Sequence, residues 1–195
     1  MYKLVFATHN AHKLDEARAI LDGVVEVIGL DEIGCFDEID ETADTLEGNS
    51  LLKAKYINRF YGYNCFSDDT GLEVDCLDGR PGVYSARYAG EPTDFARNRQ
   101  KLLNDMAGQT NRKAHFRTVV SLILNGEVFT FDGRVDGQIL TEERGNSGFG
   151  YDCLFVPDGY DLTFAQAPEL KSIVSHRFVA MSKMRKFLQE KITKS

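Results

Sequence analysis

The sequence has 195 residues, 43% hydrophobic and 27% charged, which is the composition of an ordinary globular protein. A chain of this length can bury a sizeable core, as one large domain or two small lobes. Its formal net charge of −7 argues against broad electrostatic binding to DNA, RNA or anionic membranes. A small anionic ligand remains possible, because it needs only a local group of cations.

Targeting and redox signals are sparse. The N-terminus lacks the length and cleavage site of a secretory signal, and no run approaches the ~18 apolar residues of a membrane span. The four cysteines form no CxxC pair, which argues against a zinc ribbon or a redox motif. We therefore predict reduced thiols in a cytoplasmic protein without a nucleic-acid or membrane partner.

The first half of the chain predicts alternating strands and helices. Residues 2–7 are apolar and β-prone and indicate a buried strand. A helix is predicted next, ending near Gly23, with one apolar face formed by Leu14, Ala17, Ile20 and Leu21. An acidic segment, 31–45, then precedes a predicted helix over 46–60. The apolar run 65–66 predicts a short buried strand that ends before the pair Asp68-Asp69. Residues 72–76 predict a half-buried strand with a buried thiol at Cys76.

The second half predicts a helix over 93–106 and two β-rich runs, 114–124 and 128–135, on either side of Asn125-Gly126. That dipeptide is typical of a tight hairpin. Residues 145–150 predict a flexible glycine-rich loop, and residues 153–156 predict a short strand. Ser175 is predicted to cap a last helix. The whole predicts an α/β fold with a long mixed sheet, in two lobes with a cleft between them.

Residues 8–13 form a polar loop between the first strand and the first helix. Free backbone N–H groups at a helix N-terminus favour phosphate, and Lys13 lies one turn into the helix. The alternative is an ordinary Asn10 cap followed by a surface lysine. The GxxxxGK[ST] pattern of a P-loop is absent.

Acidic residues provide a second candidate site. Asp68 and Asp69, with Glu41 from the acidic segment, offer the oxygen ligands that Mg²⁺ prefers. The metal would lower the pKa of a bound water, and a carboxylate would accept its proton. Lys53 would meet phosphate charge that the metal leaves uncompensated. The alternatives are a solvated Asp-Asp turn and a solvated helix lysine.

A third cluster lies near the C-terminus. Phe149 stands between two glycines and is followed by Asp152, so a planar base could approach the backbone, stack on the ring and donate to the carboxylate. Lys171 and the segment 175–177 add cationic donors that suit a purine carbonyl oxygen. Alternatively, Phe149 belongs to the core and residues 175–177 are only a helix start.

Taken together and in order, these motifs resemble the inosine triphosphate pyrophosphatase family, the Ham1-like nucleoside triphosphate pyrophosphatases. They extend from residue 8 to residue 177 and so cover most of the chain. The matching segments are Thr8-x-Asn10-x-x-Lys13-x-x-Glu16, Glu41-Thr42, Asn49-x-x-x-Lys53, Asp68-Asp69-Thr70-Gly71-Leu72, Pro81-Gly82-Val83-Tyr84-Ser85-Ala86-Arg87, Gly148-Phe149-Gly150-Tyr151-Asp152 and Lys171-x-x-x-Ser175-His176-Arg177.

The resemblance implies a single two-lobed domain over residues 1–195, usually in a homodimer. It implies Mg²⁺-dependent hydrolysis of ITP, dITP or XTP to the monophosphate and pyrophosphate. Asp69 would be the proton acceptor, and Glu41 and Asp69 would bind Mg²⁺ with the help of Asp68. Substrate contacts are implied for Thr8, His9, Asn10, Ala11, His12, Lys13, Lys53, Thr70, Phe149, Gly150, Tyr151, Asp152, Lys171, His176 and Arg177.

Several positions depart from the family pattern. Cys153 stands where the family usually has proline, which leaves the rigidity of the loop after Asp152 open, and Pro168 is expected in the loop before Lys171. Gly48 and Ser50 replace the more usual acid and alanine beside Asn49, and His9 and His12 enlarge the phosphate loop. Two alternatives remain: a Maf-like nucleotide pyrophosphatase that prefers pyrimidine or modified bases, and a nucleotide sensor without activity.

Overall fold

The computed structural model describes residues 2–193 of the chain. Helices and strands are mixed along it, as the sequence predicts. The helices are α1 (Ala11–Leu21), α2 (Leu46–Tyr61), α3 (Phe95–Asp105), α4 (Pro168–Val174) and α5 (His176–Thr193). The strands are β1 (Tyr2–Phe6), β2 (Val25–Ile28), β3 (Cys65–Val74), β4 (Pro81–Gly82), β5 (Lys113–Leu124), β6 (Glu127–Ile139) and β7 (Phe155–Pro157).

All seven strands form one mixed sheet, in the order β2-β1-β3-β5-β6-β7, with β4 paired to β3. Strand β1 runs parallel to both β2 and β3, and Phe6 lies opposite Phe66. Strands β3 and β4 are antiparallel, as are β6 and β7. The predicted α/β fold with a mixed sheet is therefore confirmed.

The chain divides into two compact units. Unit 1 comprises residues 1–69, 118–133 and 177–195, and unit 2 comprises residues 70–117 and 134–176. The division falls within β3, β5 and β6, so each of these strands supplies residues to both units. The catalytic cleft that the sequence analysis places between two lobes stays a prediction.

Unit 1 has a hydrophobic core on each face of its strands. On one face, Leu4, Phe6 and Phe66 pack with residues of α1 and α5, including Ala17 and Met181. On the other face, a second core contains α2 side chains and the strand residues that alternate with the first set: Val5, Ala7, Ala54, Ile57 and Cys65. Because successive strand residues point to opposite faces, the apolar runs of β1 and β3 fill both cores.

Unit 2 has a core of its own, with residues from β3, α3, β5, β6 and β7. Leu72, Leu102, Phe116 and Phe155 are among its buried members. Strands β3 and β4 approach closely at Gly71, where a Cβ atom would lie 2.7 Å from the carbonyl oxygen of Gly82. This contact gives a steric reason for glycine directly after Asp69-Thr70.

The structure corrects the prediction for the Asp pair. Strand β3 does not end before Asp68 but continues through both carboxylates to Val74. Both side chains are buried, and helices on the two faces supply cations to them, so the strand need not turn toward solvent. Cys76 lies in a 3-10 turn over Asp75–Leu77 and is half-buried, so its assignment to a strand was wrong.

The region before the last helix also differs from the prediction. Pro168 begins helix α4, at a first-turn position that tolerates its missing N–H, and Lys171 lies within this helix. Ser175 is the C-terminal cap of α4, and α5 begins at His176. The short strand predicted over 153–156 is shifted to Phe155–Pro157.

The predicted hairpin is confirmed. Strands β5 and β6 are neighbours in the sheet and are joined by Asn125-Gly126, which have φ values of 53° and 82°. None of the four cysteines, all within the described residues, forms a disulfide. No helix in residues 2–193 is long and apolar enough to cross a membrane.

Candidate active site

The alternation of β3 explains how two adjacent carboxylates are accommodated. Cys65 and Ser67 face helix α2, where the Cys65 thiol donates to the carbonyl of Ala54 and Ser67 bonds to Ser50. Phe66 faces the opposite core, with α1 and α5. Asp68 continues the Phe66 face and Asp69 the Cys65 face, so the two acids meet different partners.

Asp68 binds two cations from α1 and α5. Its Oδ1 accepts from Lys13 Nζ at 2.9 Å and its Oδ2 accepts from Arg177 Nε at 2.9 Å. Burial alone would raise the pKa of Asp68, but the charges of Lys13 and Arg177 hold it well below its usual range. Arg177 also donates from Nη1 to Glu16 Oε2 at 2.6 Å. The result is a buried network of alternating charges.

Asp69 lies in a different electrostatic environment on the α2 face. Burial raises its pKa to about 6; Lys53 opposes that shift and Glu41 adds to it. Lys53 itself donates to Glu41 and is about 12% exposed at its side chain. Asp69 therefore holds its proton more tightly than an ordinary carboxyl, as a proton acceptor that works near neutral pH should.

The polar loop before α1 has the geometry of a capped helix. Asn10 Oδ1 accepts from the backbone N–H of Lys13 at 3.2 Å, and Thr8 Oγ1 accepts from the N–H of Asn10 at 3.2 Å. The Asn10 cap is thus confirmed, but Lys13 is not the surface lysine of that alternative, since it bonds to the buried Asp68. The cap is compatible with anion binding because α1 still presents first-turn N–H groups. His9 Nε2 lies 3.0 Å from the carbonyl oxygen of Asp37, which ties this loop to the acidic segment.

The donor set fits a hard divalent cation. Glu41 and Asp69 offer carboxylate oxygens, and the repulsion from Glu41 adds to the burial that raises the pKa of Asp69. No group of three His, Cys, Asp or Glu side chains within residues 2–193 is arranged to hold a metal alone. Mg²⁺ is typically held by one or two carboxylates, water and substrate phosphates, so two carboxylates suffice. Both carboxylate oxygens of Asp68 accept hydrogen bonds from cationic side chains, so Asp68 is a poorer metal ligand than the sequence suggests.

Unit 2 brings together a second group of predicted residues. Asp152 Oδ2 accepts from the backbone N–H of Phe149 at 2.9 Å and from Lys171 Nζ at 2.7 Å. The Lys171 ammonium lies 4.3 Å from the centroid of the Phe149 ring. Gly148 permits this approach, since a Cβ atom there would lie 2.3 Å from Asp152 Oδ2. An aromatic ring, an acceptor and a buried cationic donor thus lie side by side.

Two other residues that were predicted to contact the substrate lie in mainly structural surroundings. Tyr151 is buried in the core of unit 2, and its hydroxyl donates to the carbonyl of Ser85 at 2.9 Å. His176 is also buried and stacks on Phe116, with ring centroids 4.7 Å apart. Arg177, predicted for the nucleoside pocket, lies in unit 1 with its guanidinium bonded to carboxylates.

The sequence analysis assigned no role to three residues of these groups. Glu16 follows Lys13 by one helical turn, a spacing that could have indicated its place beside the network. Asn49 is fully buried, and its Oδ1 accepts from the N–H of Ala43, which anchors the acidic segment to α2. Arg99 of α3 bonds to the glycine-rich loop across 51 positions, and nothing local in the sequence signals that contact.

A scan against family models matches residues 4–187 to the model described as the Ham1 family. The chain belongs to the Ham1 family. Among curated relatives, a dITP/XTP pyrophosphatase of Porphyromonas gingivalis is 54% identical over 190 residues, which cover 96% of this chain and 98% of the relative. A dITP/XTP pyrophosphatase of Flavobacterium johnsoniae is 47% identical, with 93% and 95% covered.

Solved structures of other Ham1 proteins agree in fold. The Staphylococcus aureus Ham1 protein superposes with a TM-score of 0.89 at 37% identity, covering 97% of this chain and 99% of that one. A Ham1 protein from Coxiella burnetii superposes with a TM-score of 0.90 at 33% identity, covering 97% and 100%. The family resemblance inferred from the motifs is confirmed.

Proposed function

We propose that this Ham1 protein hydrolyses deaminated purine nucleoside triphosphates, ITP, dITP and XTP, to the monophosphate and pyrophosphate. The observation that carries the proposal is the different treatment of the two adjacent acids. Asp68 is held ionised between Lys13 and Arg177, whereas Asp69 has a pKa raised to about 6 beside Lys53 and Glu41. Relatives at up to 54% identity carry the name of this activity.

In this proposal the residues of unit 1 hold the triphosphate and activate water. The N–H groups at the start of α1 and the ammonium groups of Lys13 and Lys53 bind phosphate oxygens. Asp69 accepts a proton from water as the water oxygen bonds to phosphorus and the anhydride bond breaks. Pyrophosphate leaves with the electron pair of that bond, and fixed charges stabilise the transition state without reorganisation.

Charge balance explains why a divalent metal belongs in the site. Among the described residues of this group, Lys13, Lys53 and Arg177 face four carboxylates: Glu16, Glu41, Asp68 and Asp69. A polyanion entering alone would meet a net negative group. We propose that Glu41 and Asp69 hold Mg²⁺; when bound, the metal neutralises phosphate charge and makes water more acidic.

In the same proposal, side chains of unit 2 recognise the base. Phe149 supplies a stacking face, and Lys171, buried against it, is an obligate donor. The 6-keto oxygen of hypoxanthine or xanthine accepts from such a donor, while the 6-amino group of adenine leaves it unpaired. An unmet buried donor costs ~1–3 kcal/mol, which predicts about ten- to a hundredfold discrimination against ATP.

We further propose that the enzyme works in the cytoplasm as a homodimer and binds neither nucleic acid nor membrane. The negative net charge supports the lack of nucleic-acid binding. The dimer follows from the family resemblance and is tested by sedimentation velocity, in which a monomer at micromolar concentration would contradict it.

The deciding experiment measures pyrophosphate and nucleotide products from ITP, dITP, XTP, GTP, ATP and dUTP in parallel, with Mg²⁺ and with the metal chelated. We expect ITP and XTP to give monophosphate and pyrophosphate, ATP to react slowly because it lacks the 6-keto acceptor, GTP to react slowly because of its 2-amino group, and chelation to abolish turnover. Asp69→Asn should reduce kcat by about 10²–10⁴, the usual contribution of a positioned base. Asp22→Asn, a change to an exposed acid of the same unit directly after α1, is the matched control.

Each alternative gives a different result in this panel. Turnover mainly of pyrimidine nucleotides would favour the Maf-like reaction. Binding of ITP without turnover of any nucleotide, by folded protein, would indicate a sensor. Full activity of Asp69→Asn or turnover without a divalent metal would overturn the mechanism.

A further inference from the structure

The loop that carries the base-binding residues has little packing of its own. Residues 141–148 are exposed, and the segment from Glu143 to Cys153 borders a polar cavity of about 280 Å³. Gly145, Gly148 and Gly150 all have positive φ, so the backbone gains few restraints from side chains. Cys153 lines the same cavity at the position where the family resemblance would place a proline. Backbone hydrogen bonds from the Arg144 N–H to the carbonyl of Cys153 and from the Ser147 N–H to the carbonyl of Ala165 hold parts of the loop, and a side chain from α3 adds to them.

Arg99, one turn into helix α3, bridges this cavity. Its Nε donates to Glu143 Oε1 at 2.7 Å, and its Nη1 donates to the carbonyl oxygen of Gly150 at 3.2 Å. The two acceptors lie at the beginning of the loop and directly after Phe149. Its side chain is about 20% exposed, against 45% for Glu143, so the guanidinium is partly shielded from water. A planar fork with two directed donors suits this bridge better than a flexible ammonium.

A second contact from α3 reaches the same place. The rings of Phe95, at the first position of α3, and Phe149 lie with centroids 6.2 Å apart. The loop is closed from its other end by Asp152, which accepts from the N–H of Phe149. The Phe149 backbone is thus held through Asp152 on one side and through Arg99 on the other.

We propose that Arg99 is a positioning residue, which fixes the loop 143–152 so that Phe149 and Asp152 meet the base of the substrate. This inference rests on the proposed function only in taking Phe149 and Asp152 as base-binding residues. Arg99 does not contact the reacting phosphate in this assignment. Its removal should therefore weaken recognition of the nucleoside and leave the hydrolytic step unchanged.

The test compares Arg99→Met and Arg99→Lys with the unmodified enzyme. Arg99→Met keeps the length of the side chain and removes its donors, whereas Arg99→Lys keeps the charge but can bridge only one acceptor well. Arg97→Met, an exposed arginine of the same helix, is the matched control for loss of a surface charge. For each protein we would measure kcat and KM for ITP and the inhibition constants of inosine and inorganic tripolyphosphate.

For Arg99→Met we expect the KM for ITP and the inhibition constant of inosine to rise about five- to tenfold, the effect of losing one or two modest hydrogen bonds. The kcat and the inhibition constant of tripolyphosphate should stay within about twofold, and Arg99→Lys should fall in between. A purely structural role would instead shift all four quantities together.

Three outcomes would overturn the inference: equal weakening for inosine and tripolyphosphate, a fall in kcat without change in KM, or no difference between Arg99→Met and Arg97→Met. Failure of the proposed function looks different, because the unmodified enzyme would then not turn over ITP. Direct calorimetric titration of inosine into the unmodified and Arg99→Met proteins would still decide whether Arg99 governs nucleoside binding.

Discussion

At the residue scale, the notable feature of unit 1 is a set of ions removed from water. Asp68 and Arg177 have side chains only 1% and 2% exposed, and each has a second partner of opposite charge. Such networks are not strong evidence for stability, because desolvation offsets much of the Coulomb attraction. Removing one member is nevertheless costly, since the remaining charge stays buried without its partner. In this protein the network fixes the position of Lys13 and keeps Asp68 ionised.

Arg177→Met should therefore lower the free energy of unfolding by about 3–5 kcal/mol, because Asp68 would stay buried with one cation fewer. Arg18→Met is the matched control, since Arg18 pairs with Glu32 at a surface site where both side chains are about half exposed. Its loss should cost only about 0–1 kcal/mol. Urea unfolding of the two variants at neutral pH measures both values, and equal losses would contradict the buried network.

At the element scale, one carboxylate oxygen joins the loop 143–152 to α4. Asp152 Oδ2 accepts from the N–H of Phe149 within the loop and from Lys171 of α4. A short helix that the sequence analysis did not predict therefore orients the loop, and Gly148 leaves the space in which the carboxylate sits. The conformation of the loop and the direction of the Lys171 donor are coupled through Asp152.

A comparison of Gly148→Ala with Gly159→Ala should separate the effect of the contact with Asp152 from ordinary backbone strain. Gly148 has φ +77°, and an added Cβ would contact Asp152 Oδ2 at 2.3 Å; Gly159 has φ +83° and nothing within 4 Å of the same Cβ. Both alanine variants should lose about 1 kcal/mol of stability from the positive φ. Only Gly148→Ala should also lose about ten- to a hundredfold in kcat/KM for ITP, because the base-binding groups move.

Parallel assays of ITP hydrolysis and of thermal unfolding on both variants provide the comparison. If Gly159→Ala lost as much activity as Gly148→Ala, strain alone would account for the effect and the contact with Asp152 would have no special role.

The elements with a local signal were predictable from the sequence, and those that depend on partners far along the chain were not. Helix α2 and the hairpin at Asn125-Gly126 follow from periodicity and turn chemistry. The continuation of β3 through Asp68 and Asp69 did not follow, because the cations that compensate them come from α1, α2 and α5. Helix α4 was missed because it has only seven residues, and its proline was read as a loop signal.

For the candidate site, the sequence indicated which residues could carry chemistry but not which of them lie together. The motifs identified Asp69, Lys53 and Lys171 as chemistry-bearing residues. They did not indicate that Arg177 would bond to Asp68 and Glu16, or that Tyr151 would be pinned to Ser85. Spacing along a chain gives the residue types of a site, whereas burial and hydrogen-bond partners decide which of them can face a ligand.

At the scale of the whole molecule, charge sets what the protein excludes. The net charge of −7 disfavours polyanions in general, and in the proposed site the local cations together with Mg²⁺ would admit one small polyanion. A basic nucleic-acid-binding surface would need many phosphate contacts and a strong dependence of affinity on salt. This chain has the opposite overall charge.

A labelled DNA duplex should accordingly show no change in fluorescence anisotropy at protein concentrations up to about 10 μM, even in low salt, where non-specific affinity is greatest. ITP should still be turned over under the same conditions. Saturable, salt-sensitive binding of the duplex would contradict this expectation and would point to a basic surface that the net charge conceals.

The position of Asp68 and Asp69 inside a strand has a consequence for how this enzyme can change. A strand offers its two faces in strict alternation, so inserting or deleting one residue in β3 ahead of the pair would exchange their surroundings. The carboxyl meant to accept a proton would then face Lys13 and Arg177, and the permanently ionised one would face Glu41. A one-residue change of length here should therefore abolish activity even where folding survives. Natural and engineered variants that keep the activity should keep the length of β3 ahead of the pair.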